Sequence, residues 1–265
     1  MANNNLYNYF ACMSNNNLNI NQPVIISKIT IFLISIYIVL FEFIWVTQSI
    51  IPKPSLLFDS FISLWSDYNL LNAFFETTAV IFPAILIAIV VLEIFAKLFL
   101  KTLIDYSGII NIVTPFKYFS FFFFALLLNF VFQESLLAEI LFAILFVISK
   151  LLTSVFNEKN FAEEEYILSA QSLGLSKSQI YSIVVWKSLK PNVYKNLTKV
   201  HMQLWVAVLI YEFIGASIGM GAVYRLAYNY NDVLSLISLG IFISFVILIV
   251  NSIIKMVVSK LIFWK

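Results

Sequence analysis

The stretch FSFFFFALLLNFVFQESLLAEILFAILFVISKLL, Phe119–Leu152, holds two apolar blocks parted by three polar residues, Gln133, Glu134 and Ser135. Neither block alternates polar and apolar positions, so neither reads as a barrel strand. A helix is the other form that satisfies its own backbone in lipid. The stretch therefore predicts two membrane-crossing helices joined by a tight turn. The rest of the chain agrees. Of its 265 residues 62% are hydrophobic and only 11% charged, with a mean hydropathy of +0.95. A soluble domain of this length could not bury that much apolar surface.

A crossing helix needs roughly 20 mostly apolar residues. Six segments qualify: Val24–Val46, Leu70–Leu92, Lys117–Phe132, Leu136–Leu152, Val200–Ile214 and Val233–Val257. The third and fifth are short and need extension at their polar ends. The expected fold is an all-α integral membrane domain over residues 23–265, with about six transmembrane helices. Residues 1–22 are Asn-rich and predict a disordered tail. The first apolar block is too long for a signal-peptide core and lacks a basic leader, so a retained anchor is expected.

Charge placement orients the spans. Of 16 Lys and Arg, Lys53 and Arg225 fall in segments assigned to the outside, and the other fourteen lie at or near the opposite ends. That asymmetry predicts both termini in the cytoplasm. The single cysteine, Cys12, forms no disulfide within the chain.

The single histidine, His201, rules out a His cluster. It is expected to be an interfacial side chain with a satisfied hydrogen bond. No metalloprotease, nucleophile-elbow or P-loop pattern occurs, so no metal site, no cofactor and no ATP cradle are expected. Glu42, Glu76, Glu93, Glu139 and Glu212 are scattered singly along the chain, which weakens an enzyme reading. Intramembrane acids are functional candidates by default. Glu212, near the outer end of the fifth span, leads them, the alternative being a carboxylate in interfacial water.

Between the fourth and fifth spans lies the longest polar segment, about residues 153–199. Glu163, Glu164 and Glu165 suit a helix N-terminus. Gly174 can end that helix with positive φ. Ser176 and Gln179 have capping-box spacing. Ile180, Ile183, Val184 and Lys187 follow as an amphipathic face, and Pro191 predicts a stop or kink. The expected product is two short helices meeting at an angle. The first would carry a small-residue surface, Ser169, Ala170 and Ser172, open to another protein. A plain membrane-surface helix is the competing reading.

This segment resembles the cytoplasmic coupling motif of permease subunits of binding-protein-dependent (type I) ABC importers. Ala170 and Gly174 match the motif's second alanine and glycine. Ser172, Leu173 and Pro191 are similar to the subtype with sulfonate, taurine, nitrate and thiamine-precursor permeases. Ser169 departs mildly from the first alanine, Leu168 replaces the glutamate, and Lys187 stands where a first proline is common. Ile51-Pro52-Lys53-Pro54-Ser55 resembles that subtype's L-P-x-P-S. Trp205-VAVLIYEFIGASIGMGAVY resembles its outer segment, with Glu212, Gly215, Ser217, Gly219 and Gly221 in register.

The resemblance implies a permease subunit in a bacterial cytoplasmic membrane, itself not an enzyme. It implies a second permease copy, two cytoplasmic ATPase subunits and an extracytoplasmic solute-binding protein. ATPase coupling would fall on Ser169, Ala170, Ser172, Leu173, Gly174, Ser176 and Pro191. The translocation path or outer loop would take Glu212, Gly215, Ser217, Gly219 and Gly221. Gly215 and Gly219 alone also fit helix packing, but the glycines with Asn229-Tyr-Asn231-Asp232 favour a glycine-rich outer loop. An ion-coupled secondary transporter is the rival class.

Overall fold

The computed structural model describes residues 22–44, 52–105, 120–158, 164–176, 179–215 and 218–261. Among these residues there is no strand; the protein is an all-α membrane protein. The expected tail, Cys12, Glu163 and Ser217 lie outside the described residues. The chain divides into two compact units, Met1–Ser60 and Phe61–Lys265.

In the first unit α1, Gln22–Ile38, passes into wide π-type turns over Val39–Ile44. From Ile29 to Ile38 its apolar side chains are mostly exposed, as for a helix whose surrounding medium is lipid. The Tyr37 hydroxyl donates to the Pro52 carbonyl at 2.6 Å. Glu42 accepts the Ser55 N–H at 3.2 Å, satisfying a free donor in the first turn of α2, Pro54–Ser66. Pro54 occupies the first helical position, where its missing N–H costs nothing. Sequence reading found no helix here, although Leu57, Phe61 and Leu64 stand at helical spacing.

The second unit continues with α3 Leu70–Asp105, α4 Phe121–Val131, α5 Leu136–Glu158, α6 Glu164–Ser172, α7 Trp186–Lys195, α8 Leu197–Gly215, α9 Met220–Asn229 and α10 Val233–Leu261. Among the described residues five helices are long and apolar enough to cross a membrane: Ser27–Ile44, Leu70–Phe95, Leu136–Val155, Leu197–Gly215 and Val233–Lys260. The third expected span is shorter. Helix α4 has 11 residues, about 17 Å at 1.5 Å per residue, against a core of about 30 Å. Its amino end is capped by Ser120, whose hydroxyl accepts the Phe123 N–H. The tight turn at 133–135 is present, with Glu134 in the left-handed region at φ 53°.

The core is where α8 meets α3, α4, α5 and α9. Trp205, Val208 and Tyr211 are buried there, and Phe142 stacks on Tyr211 with ring centroids 5.1 Å apart. Outward, the apolar residues are bare: Phe130 is 83% exposed and Leu137 77%. Such continuous apolar surface is compatible with lipid, not with water.

His201 is fully buried within the protein. Its hydrogen bonds are satisfied as expected. Trp205 Nε1 donates to its Nε2 at 2.9 Å, and its Nδ1 lies 2.9 Å from Asn251 Oδ1. Because Trp205 can only donate, the proton of a neutral imidazole sits on Nδ1 and points at Asn251.

Candidate functional site

The polar segment builds a jointed rod from purely local chemistry. Helix α6 ends at Gly174, which takes φ +74°. The Leu175 N–H reaches the Ala170 carbonyl at 3.3 Å and the Gly174 N–H reaches that of Gln171 at 3.0 Å. These are the two bonds of a Schellman cap. The next helix opens with the expected capping box. Gln179 Oε1 accepts the Ser176 N–H at 3.0 Å, and the Ser176 hydroxyl faces the Gln179 N–H at 3.4 Å.

The second helix differs from its expected form in two ways. Its first stretch, Ile180–Val185, is wound in π-type turns, so i→i+5 pairing rotates the buried face. Ile180, Val185, Trp186, Leu189 and Val193 point inward, while Ile183 and Lys187 are exposed. Pro191 neither stops nor ends the helix; it lies inside α7. The carbonyl it frees belongs to exposed Lys187, and buried Leu189 and Val193 hold the helix on either side. Asn196 keeps a right-handed helical conformation, and its N–H reaches the Asn192 carbonyl at 3.2 Å. Residues 180–215 therefore form one nearly unbroken rod of 36 residues, about 54 Å long.

One side chain locks this rod to α3. Glu93 forms an ion pair with Lys190 at 2.6 Å and accepts Trp186 Nε1 at 3.1 Å and the Tyr194 hydroxyl. Lys190 also lies over the Tyr194 ring, 5.4 Å from its centroid. Burial first, then the hydrogen bond to Glu93 and its charge, hold the Tyr194 phenol well above its usual range. Sequence reasoning missed Glu93, whose partners lie about a hundred residues away.

The tip of α6 is apolar. Leu168 is 64% exposed and Leu173 77%, with Tyr166, Ser169 and Ser172 also exposed. Ala170 belongs to the core instead, at 4% exposure. The expected small-residue surface is thus corrected: Ala170 faces inward at the joint, and the outward face pairs two serines with two leucines.

At the opposite end of α3 lies the second group of expected residues. Helical rise separates Glu76 from Glu93 by about 26 Å. Glu212 is 1% exposed, which corrects its alternative placement in interfacial water. The Thr77 hydroxyl lies 2.6 Å from its Oε1, and the Gly221 N–H donates to its Oε2 at 2.7 Å. Thr77 Oγ1 in turn accepts the Met220 N–H at 2.9 Å. Glu212 and Thr77 thereby cap the first two amides of α9 and tie α3, α8 and α9 together.

The glycines make that tie possible. A Cβ on Gly219 would meet the Glu212 carboxylate, and one on Gly221 would meet the Leu209 carbonyl and Glu212 Cβ. Gly219 also takes φ +114°, a conformation close to glycine-only. Gly215 clears the Asn129 side chain, whose Nδ2 donates to the Tyr211 carbonyl at 3.3 Å. The expected glycine-rich loop is therefore brief. Residues 220–229 are helical, and the carboxyl of Asp232 then caps α10 through the Ser235 N–H at 3.0 Å.

Two more acids join Glu212. Glu139 of α5 lies within hydrogen-bonding reach of it, and Glu76 of α3 acts electrostatically on both. Acids scattered singly in sequence converge in space, so that part of the case against acid–base or ion chemistry is withdrawn. Beside them, Glu76, Asn129, Glu134, Glu139 and Tyr211 line a cleft of about 290 Å³. No protein-family model matches the chain, and no curated protein matches it.

Proposed function

We propose that the chain is the permease subunit of an ATP-driven importer, passing a small solute delivered by an extracytoplasmic binding protein. Hydrolysis falls to separate cytoplasmic ATPase subunits, two per transporter, and the permease works as a pair of copies in a bacterial cytoplasmic membrane, with both termini inside. One observation carries this reading: the jointed rod. An exposed tip of two leucines and two serines sits on a glycine joint. The joint leads into a rod that is pinned to α3 by Glu93 and runs nearly unbroken into a membrane helix. A push on the tip is delivered to two spans as rigid-body motion, the usual switch in transporters. A helix merely lying on the membrane surface needs neither the joint nor the pin.

Cysteines placed at Ser172 and Leu173 test it. Co-expressed with a candidate ATPase subunit from the same genome, they should crosslink to that subunit in a nucleotide-dependent manner. Labelling by lipid-phase probes alone refutes the coupling role.

The buried carboxyls at the Glu212 end favour a second reading, an ion-coupled transporter. Solute uptake that persists without the ATPase and follows an imposed ion gradient distinguishes it.

A further inference from the structure

We infer that the cleft beside Glu139 binds its solute through a protonated nitrogen, an ammonium or amidinium group. This rests on the reading of the chain as a transport subunit and names the chemical class it carries.

The first observation is a pair of orphaned polar atoms. Glu139 is 6% exposed and Tyr211 2%. Glu139 Oε1 and the Tyr211 hydroxyl are buried without a hydrogen-bond partner among the described residues. Both residues line the same cleft. Buried polar groups are otherwise paired almost without exception. A carboxylate oxygen only accepts, and a phenol oxygen also accepts. A ligand with several N–H donors, such as an N–H₃⁺ or amidinium, satisfies both by donating to the carboxylate and to the phenol oxygen.

The second observation is charge. Glu76, Glu134 and Glu139 stand in the lining, which contains no Lys, Arg or His among the described residues. An oxyanion such as a sulfonate or nitrate entering there would meet like charge in a poorly hydrated site, while a cation gains from it.

The third is the neighbourhood of Glu139. Glu212, within reach of it, already spends its oxygens on Thr77 and the Gly221 amide. Glu212 is thus a structural tie, and Oε1 of Glu139 is the carboxyl oxygen left for a ligand. A metal ion fits less well, because no three His, Cys, Asp or Glu converge at ligating distance among the described residues. At about 290 Å³ the cleft suits a compact head group rather than a whole large solute.

The test uses the full chain in nanodiscs and tritiated benzylamine, read by scintillation proximity. The expected result is saturable binding that benzamidine displaces and that benzyl alcohol, benzoate and sodium do not. Glu139→Gln and Tyr211→Phe each weaken binding at least tenfold. Tyr211→Phe removes only the hydroxyl, so it remains informative should Glu139→Gln fail to fold. No saturable binding, displacement by benzoate or sodium as effective as by benzamidine, or binding unchanged in the folded variants overturns the inference. Crosslinking at Ser172 reads the importer proposal separately. A nucleotide-dependent crosslink without amine binding overturns the cleft alone. Amine binding without the crosslink keeps the cleft and refutes the importer.

Discussion

Replacing Glu93 with alanine should detach the rod from α3 without unfolding the membrane helices. The carboxylate is 32% exposed and its Lys190 partner 28%, so water screens the ion pair, and it contributes about 0.5 kcal/mol. The bonds from Trp186 and Tyr194 to the carboxylate contribute about 1 kcal/mol each after the same discount. The sum, roughly 2–3 kcal/mol, shifts the ratio of anchored to detached rod about 30- to 150-fold. Hydrogen exchange in nanodiscs reads this directly: amides of residues 186–195 should lose protection by that factor, while those of 136–155 hold theirs. In the assembled transporter, ATP hydrolysis should continue while solute uptake falls. Glu93→Gln keeps an acceptor for one of the two donors and should show about half the loss on the energy scale. Unchanged exchange over 186–195 in Glu93→Ala would refute the pinning argument, and lost insertion would show that Glu93 holds the whole bundle.

Other perturbations separate local strain from lost contacts. Nothing lies within 4 Å of a Cβ at Gly174, so Gly174→Ala should cost only the left-handed strain, about 1–2 kcal/mol; uptake should drop with the melting temperature nearly unchanged. Gly219→Ala adds a clash with the Glu212 carboxylate to a φ of +114°, so it should destabilise by more than Gly174→Ala, read as a lower melting temperature in detergent. His201→Leu leaves Trp205 Nε1 and Asn251 without partners in a buried site and should cost about 2–5 kcal/mol in the same assay. Burial raises the Asp232 carboxyl, but hydrogen bonds from Ser235, Tyr68 and the Leu234 amide outweigh it and hold it below its usual range. Its stabilisation is thus full above about pH 4 and lost as pH falls through the lowered value. Asp232→Asn should flatten that acid limb.

What could be read from sequence was what short-range chemistry decides. Gly174, Ser176 and Gln179 act on amides within five residues, so the Schellman cap and the capping box were legible. The long apolar helices follow from composition alone. Longer-range features were not. Glu93 meets Trp186 and Tyr194 across 93 and 101 residues, and no window along the chain contains them together. Glu76, Glu139 and Glu212 sit on three different helices, and only their packing gathers them. The rotation of the buried face at Ile180–Val185 comes from i→i+5 winding, which a 3.6-residue period does not anticipate. Pro191 misled because its local rule was outweighed by the buried neighbours Leu189 and Val193.

The tie between Thr77 and Glu212 spans 135 residues, and the ribosome makes its two halves in a definite order. At 5–20 residues per second, Thr77 precedes Glu212 by roughly 7 to 27 seconds. The carboxyl, which costs a few kcal/mol to place in hydrocarbon, thus arrives after its hydroxyl partner on α3 has been made. Its second partner, the Gly221 amide, follows nine residues later. The acid need wait for only half a second to two seconds of synthesis before both bonds can close, so this end of the bundle is sealed by the order in which the chain is born.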